Sequence, residues 1–176
     1  MEELKYPIGH YQKPNVFTKE ILSEAISVIE QFPKKIKQEV EGLTDEQLDT
    51  PYRPNGWTVR QVVHHCADSH INAFIRIKMA LTENTPTIKP YAEALWAELA
   101  DGKTLPVEPS LSIIENVHLR WVTVLKNMKD EEFNRSFIHP EKGKELSLHE
   151  STGMYAWHCK HHLAHITELK KRKGWK

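Results

Sequence analysis

Three tetrapeptides of the form Ser/Thr-x-x-Glu/Gln each stand directly before a long segment in which apolar residues recur with a helical period. In such a capping box the first side chain accepts a hydrogen bond from the backbone of the fourth residue, whose own side chain accepts one from the first residue's N–H. These motifs predict where three long helices begin. The boxes are Thr58-Val-Arg-Gln61, Ser112-Ile-Ile-Glu115 and Ser147-Leu-His-Glu150, and the helices are predicted to end near Glu83, Met128 and Lys173.

A fourth apolar period follows Thr18 and ends at Gly42, with Pro33 inside it. Because proline lacks a backbone donor, we expect Pro33 to kink or interrupt this helix. Between the long helices we predict a short turn at 44–48, loops at 84–90 and 101–110, and a short helix over 91–100. A small β-hairpin over 137–146 is predicted to turn at Lys142-Gly143.

The resulting prediction is an all-α fold, a four-helix bundle with long loops and one small β-hairpin, formed by a single domain over residues 1–176. The stretch 43–49 resembles 128–134, and each precedes a loop, a capping box and a histidine-bearing helix. This echo suggests two related helix hairpins, with a chance match as the alternative.

Composition excludes several classes of function. The chain has 24 basic and 24 acidic residues, so it carries no electrostatic footprint for nucleic acid or an anionic membrane. No apolar run approaches the roughly 18 residues that span a bilayer. The two cysteines, Cys66 and Cys159, do not look like a disulfide scaffold. We expect both to be small residues of the core. The first residues lack the layout of a signal peptide, so we expect a cytoplasmic protein.

The last helix carries His158 and His162 four residues apart, so both lie on one helical face. Their neighbours on that face, Tyr155, Ile166 and Leu169, are apolar or aromatic, which predicts that the pair points inward. Buried imidazoles need partners, and one metal ion would satisfy both. The alternative is a pair of core histidines that donate hydrogen bonds to carbonyl groups.

A second histidine cluster lies in the helix predicted after Thr58. It contains His64, His65 and His70, and packing of the two helices would create a three-histidine metal site. The same helix has a polar stripe, for which a solvent-facing surface and a cavity lining are both open interpretations. The stripe consists of Gln61, His65, Asp68, Ser69, Asn72 and Arg76.

Four stretches give the chain a strong family resemblance: residues 6–9, 48–65, 67–70 and 157–169. The sequence resembles the DinB-like metal-binding four-helix bundles, and most closely the YfiT type, which are regarded as candidate metal-dependent hydrolases. The resemblance implies that His65, His158 and His162 bind one divalent metal per chain, with Zn²⁺ favoured and Ni²⁺ or Co²⁺ as alternatives. It also implies a homodimer, and a location of His165 outside the metal's direct ligands.

Three functions remain open from the sequence. An open tri-histidine site would activate a bound nucleophile toward a small-molecule substrate, which favours hydrolysis. Some DinB-like relatives use low-molecular-weight thiols, so a thiol S-transferase of the bacillithiol type is the alternative. A non-catalytic metal-binding module is the third.

The sequence offers no obvious general base, since no glutamate joins the histidine pair as in His-Glu-x-x-His. Asp68, His161 and Glu150 are candidates, although Asp68 also suits a structural hydrogen bond and Glu150 a cap. Arg53 is a candidate for holding a substrate carboxylate, with an ordinary surface position as the alternative. Rotation about the helix axes predicts that His64, His70, His161 and His165 stay outside the direct ligands.

Overall fold

The computed structural model describes residues 2–175, apart from the side chain of Lys142, and four long helices dominate it. Two 3₁₀ turns, at Asp130–Asn134 and Pro140–Lys142, accompany a two-stranded sheet. The helices are α1 (Glu2–Lys5), α2 (Lys19–Val40), α3 (Asp45–Leu48), α4 (Val59–Thr82), α5 (Glu93–Trp96), α6 (Ala100–Thr104), α7 (Glu108–Asn127) and α8 (Leu148–Lys173); the strands are β1 (Ser136–His139) and β2 (Lys144–Ser147).

The long helices form a four-helix bundle, as the sequence predicts. Helix α2 packs against α7 and α8, and α4 packs against the same two helices, so the order around the bundle is α2, α7, α4, α8. The connections from α2 to α4 and from α7 to α8 therefore join helices that are diagonal to each other. This order lets side chains from all four helices meet at the bundle axis.

The two halves predicted from the internal echo share a local geometry. The Gln47 side chain accepts a hydrogen bond from the Thr44 N–H at 2.9 Å, and the Glu132 side chain accepts one from the Lys129 N–H at 2.7 Å. Each turn follows one bundle helix and leads toward the next. The packing of α2 on α8 is also matched by that of α7 on α4.

The core takes one large residue from each long helix at the bundle axis: Phe32, Ile77, Trp121 and Ile166, all at most 1% exposed. Burying such a side chain stabilises the fold by about 1.5–3 kcal/mol. Across residues 2–175, no helix combines the length and the apolarity needed to cross a membrane.

Helix α2 continues through Pro33, so of the two predicted outcomes the interruption is wrong and the kink stays a prediction. A proline at this position removes one helical hydrogen bond, the one that its N–H would donate to the carbonyl of Ile29. That carbonyl accepts a hydrogen bond from a side chain on another helix instead. Tertiary packing thus replaces the lost local bond.

Helix α7 begins at Glu108 rather than at the predicted Ser112 box, which lies one turn inside the helix. Pro109 explains the earlier start, because its fixed φ angle and missing N–H suit the first helical turn. The predicted loop over 101–110 is also wrong, since α6 occupies Ala100–Thr104. Of the short helix predicted over 91–100, the first helical segment covers only Glu93–Trp96.

The predicted hairpin is confirmed: β1 and β2 pair antiparallel, and Gly143 turns between them with a φ of 59°. Thr58 forms a complete capping box with Gln61 at the start of α4, as predicted. Ser147 caps α8 through its side chain, which accepts from the Glu150 N–H at 3.2 Å.

Thr58→Ala should lower the free energy of unfolding by about 1 kcal/mol, because it removes a side-chain cap. Ser112→Ala is the matched control: its box has the same sequence form but lies inside α7, where alanine is a better helix former. Urea denaturation of both variants checks this. An equal loss in the two variants would contradict the different roles assigned to the two motifs.

Candidate metal centre

Three histidines from two helices converge at one point of the bundle. Helix α4 supplies His65, and α8 supplies His158 and His162; one ring nitrogen of each lies within 4.8 Å of the other two. The Nε2 atoms of His65 and His158 are 3.3 Å apart. Two nitrogens bound tetrahedrally to one Zn²⁺ at about 2.1 Å would be about 3.4 Å apart. The spacing therefore suits a shared metal ion.

His65 and His162 are buried, His158 is half-buried, and all three rings are uncharged near neutral pH. Burial lowers the pKa of His65 to about 4, and burial lowers the pKa values of His158 and His162 well below the usual range. The ring of Trp57 lies over His65, with centroids 4.6 Å apart. Neutral imidazoles keep the lone pairs that metal coordination requires.

A buried hydrogen bond between α7 and α2 fixes the tautomer of His118. The Nδ1 atom of His118 lies 2.6 Å from the carbonyl oxygen of Ile29. Because a carbonyl only accepts hydrogen bonds, His118 must carry its proton on Nδ1. This is the carbonyl that Pro33 leaves without a helical donor.

The constraint passes from His118 to the triad. Burial lowers the pKa of His118 to about 4 and holds the pKa of His70 well below its usual range, so both rings are neutral near pH 7. Nε2 of His118 therefore accepts from Nδ1–H of His70 at 2.8 Å, and Nε2 of His70 accepts from Nδ1–H of His158 at 3.1 Å. This leaves the lone pair of His158 on Nε2, the atom that faces His65.

His64 and His70, predicted to lie outside the direct ligands, have both ring nitrogens engaged elsewhere. His64 contacts the Ser110 hydroxyl at 2.7 Å and the Leu105 carbonyl at 3.1 Å, on the side of α6 and α7. His70 bridges His118 and His158. Rotation by one residue thus sends His64 away from the triad.

A second group of three histidines shares one member with the first. His161, His162 and His165 also place ring nitrogens within 4.8 Å of one another. The Nδ1 atoms of these three residues are buried and have no hydrogen-bond partner among residues 2–175. His165 donates from Nε2 to the Lys5 carbonyl at 3.0 Å, so it has only Nδ1 to offer.

Two cavities reach the triad from different sides. One has a volume of about 530 Å³ and is lined by Ser69, Arg76 and His158, among others. The other has a volume of about 400 Å³ and is lined by all three triad histidines. The polar stripe of α4 therefore faces inward at Ser69 and Arg76, which favours the cavity interpretation over the solvent-facing one.

The candidate catalytic residues from the sequence are dispersed. Arg53 and His161 line the smaller cavity, and Arg53 donates to the Tyr52 hydroxyl and the Pro54 carbonyl. Asp68 lines neither cavity; burial and then the charge of Asp101 raise its pKa to about 6. Glu150 pairs with Lys13 at 2.7 Å.

Sequence reasoning missed two groups at the centre. Glu93 lines both cavities, but it begins the short helix α5, whose sequence carries no motif. His118 lies alone in α7, where a single histidine gives no signal. The sequence indicates a role for His118 only indirectly. Pro33 lies four residues after Ile29, and it leaves the Ile29 carbonyl without a helical donor.

Comparisons with other sequences identify close relatives. The sequence model of the DinB superfamily matches residues 29–166. YfiT of Bacillus subtilis, named as a candidate metal-dependent hydrolase, is 51% identical over 172 residues, covering 98% of this chain and 97% of YfiT. An Oceanobacillus iheyensis protein named in the same way is 54% identical over 171 residues, covering 97% of this chain and 98% of its own.

Solved structures show the same fold. The structure of Bacillus subtilis YfiT superposes with a TM-score of 0.96 at 50% identity and covers 99% of both chains. A mycothiol-dependent maleylpyruvate isomerase superposes with a TM-score of 0.61 at 17% identity, covering 84% of this chain and 60% of its own. At that identity the likeness concerns the fold alone.

The hydrogen-bond chain predicts an uncommon set of tautomers in the metal-free protein. His70, His118 and His158 should each carry the ring proton on Nδ1, because the Ile29 carbonyl forces the first proton position and each ring forces the next. Long-range ¹H–¹⁵N correlation of labelled histidines measures this directly. An Nε2–H tautomer at any of the three rings would break the chain.

Stability of the metal-free protein should fall as the pH drops from about 6.5 toward 4. In this window an unfolded histidine binds a proton that buried His118 does not, because its folded pKa is about 4. His118→Gln should flatten the fall by about 3 kcal/mol. Urea denaturation as a function of pH checks this, and an unchanged slope in the variant would contradict it.

Proposed function

Because this chain belongs to the DinB superfamily, as the sequence resemblance predicts, we propose that His65, His158 and His162 bind one divalent metal ion. The supporting observation is the convergence of three neutral imidazoles, with Nε2 atoms of His65 and His158 3.3 Å apart. We propose Zn²⁺ as the ion; imidazole ligands also suit Ni²⁺ and Co²⁺.

This triad is a better metal site than the alternative group of His161, His162 and His165. The lone pair of His158 is directed at His65 by a chain of hydrogen bonds that ends on a backbone carbonyl. Such outer hydrogen bonds are the usual means of orienting a histidine ligand. His165, in contrast, commits Nε2 to the Lys5 carbonyl and its ring to stacking on Tyr52.

We propose that the protein is a metal-dependent hydrolase of a small molecule. Three protein ligands leave coordination open, and the two cavities give a substrate access to it. A bound divalent cation acts as a Lewis acid and lowers the pKa of water that it holds. The relatives named as candidate metal-dependent hydrolases support the same reaction class.

Glu93 is our candidate for the general base. Glu93 and His158 both line the two cavities, whereas Asp68 lines neither and Glu150 is engaged by Lys13. Trp57 covers His65 and limits water access from that side. The proposal thus replaces the bases considered from the sequence with the first residue of α5.

Thiol S-transfer remains the second candidate, and one observation favours it. Within residues 2–175, the groups of side chains spaced to bind a metal contain histidines only, so no carboxylate joins them. A thiol is acidic enough to react at a cationic centre without a separate base. The homodimer, the cytoplasmic location and the single domain expected from the sequence stay predictions.

Metal binding should disappear in the His65→Ala/His158→Ala/His162→Ala variant and persist in His149→Ala, a histidine variant in the first turns of the same helix α8. Metal content after dialysis against Zn²⁺ checks this, with one ion per chain expected for the parent. If the triple variant retained the ion, the metal ligands would have to be sought at His161 and His165 instead.

Activity on ester and amide panels should need the metal but no thiol. Glu93→Gln should lower turnover by about 10²–10⁴-fold with metal content unchanged, as expected for loss of a general base. Turnover that requires an added low-molecular-weight thiol would replace hydrolysis with S-transfer. Tight metal binding with neither activity would support the non-catalytic module.

A further inference from the structure

Arg76 is a buried cation without a counterion. It lies on α4 at 8% exposure, and none of the ion pairs within residues 2–175 includes it. Its Nε atom is buried and has no hydrogen-bond partner among those residues. A guanidinium stays charged under all physiological conditions, and burying it unpaired is costly. Such a group is retained where an anion from outside completes it.

The guanidinium faces the larger cavity beside the triad, together with three hydroxyl groups. Ser69, Tyr91 and Tyr155 line the same cavity, and the Tyr155 hydroxyl lies within hydrogen-bonding reach of Ser69 and Arg76. Burial raises the pKa values of both tyrosines, so both hydroxyls remain donors near neutral pH. The cavity wall therefore offers a cation and neutral donors to one bound group.

This donor set is continuous with the metal centre. Ser69 Oγ lies 3.5 Å from Nε2 of His158. Along α4, Ser69 follows His65 by one turn, and Arg76 lies two turns further, about 10 Å along the axis. A small molecule in the cavity can thus contact Arg76 with one end while its other end reaches the triad.

The charge of the cavity selects the class of anion. Arg76 shares the lining with two carboxylates, Glu93 and Glu141, so a ligand with a single negative charge is repelled less than a dianion. A carboxylate matches the planar, bidentate geometry of a guanidinium with a single charge. A phosphate dianion fits this balance less well.

We propose that Arg76, with Tyr155 and Ser69, binds a carboxylate group of the substrate; this inference rests on the proposed function. The substrate class is then a small carboxylic acid whose reacting bond lies several bonds away from the carboxylate. Arg53, the residue considered from the sequence for this role, already donates to Tyr52 and Pro54 and lines the other cavity.

The test measures carboxylate binding without the metal. Butanoate is titrated against the full-length protein from which metal has been removed with a chelator, with butanamide as the uncharged probe, and binding is followed by NMR. Butanoate should bind and butanamide should bind at least tenfold more weakly. Adding Arg76→Met should weaken butanoate binding at least tenfold, whereas adding Arg53→Met should leave it unchanged.

Two further measurements separate binding from folding. Arg76→Met should raise the thermal midpoint of the ligand-free protein or leave it unchanged, since a buried unpaired cation is removed; a purely structural arginine would lower it. Tyr155→Phe, which keeps the ring, should weaken butanoate binding about threefold to tenfold, and it serves as the test if Arg76→Met does not fold.

Equal binding of butanoate and butanamide, or loss of binding in Arg53→Met rather than Arg76→Met, would overturn the proposal. These outcomes are independent of the metal, so failure of the hydrolase proposal gives a different result: butanoate still binds through Arg76, but no substrate turns over.

Discussion

The hydrogen bond between His118 and the Ile29 carbonyl supports the whole centre of this bundle. From it, one polar group on each long helix connects to the next: the Ile29 carbonyl on α2, and the rings of His118 on α7, His70 on α4 and His158 on α8. Each ring nitrogen left without its partner would cost about 1–3 kcal/mol in this buried environment. The four helices are therefore held in one relative register by the same bonds that orient Nε2 of His158 toward His65.

Pro33 makes that first bond possible. In a regular helix the Ile29 carbonyl would accept from the N–H of residue 33, and a proline inside a helix costs about 3 kcal/mol. Here the lost bond is replaced by a shorter one from His118, at 2.6 Å. This bond offsets the cost of the proline, because it gives the buried Nδ1–H of His118 an acceptor. Because of Pro33, the Ile29 carbonyl is free to accept a hydrogen bond from the imidazole of His118 on another helix.

Features that depend on residues close together in the chain could be predicted from the sequence. The Thr58 box, the hairpin and the four-residue spacing of His158 and His162 depend on neighbours in the chain, and the helices and the inward-facing pair follow from them. The continuity of α2, the start of α7 and the role of His118 depend on contacts between distant segments. The burial of Arg76 also depends on contacts between distant segments. Its place on a polar stripe of α4 can be read from the sequence, but its lack of a counterion cannot.

The bundle divides the centre into a fixed side and an open side. Toward α2 and α7, the triad is backed by His70 and His118, which are at most 1% exposed and fully hydrogen-bonded. On the other side, the cavities are bounded by short or irregular segments, with Tyr6 from the N-terminal region, Tyr91 from the loop before α5 and Glu93 from the start of α5. Loops tolerate substitution far better than a packed core. Substitutions in these segments can therefore change the cavities while the hydrogen-bond chain keeps Nε2 of His158 aimed at His65.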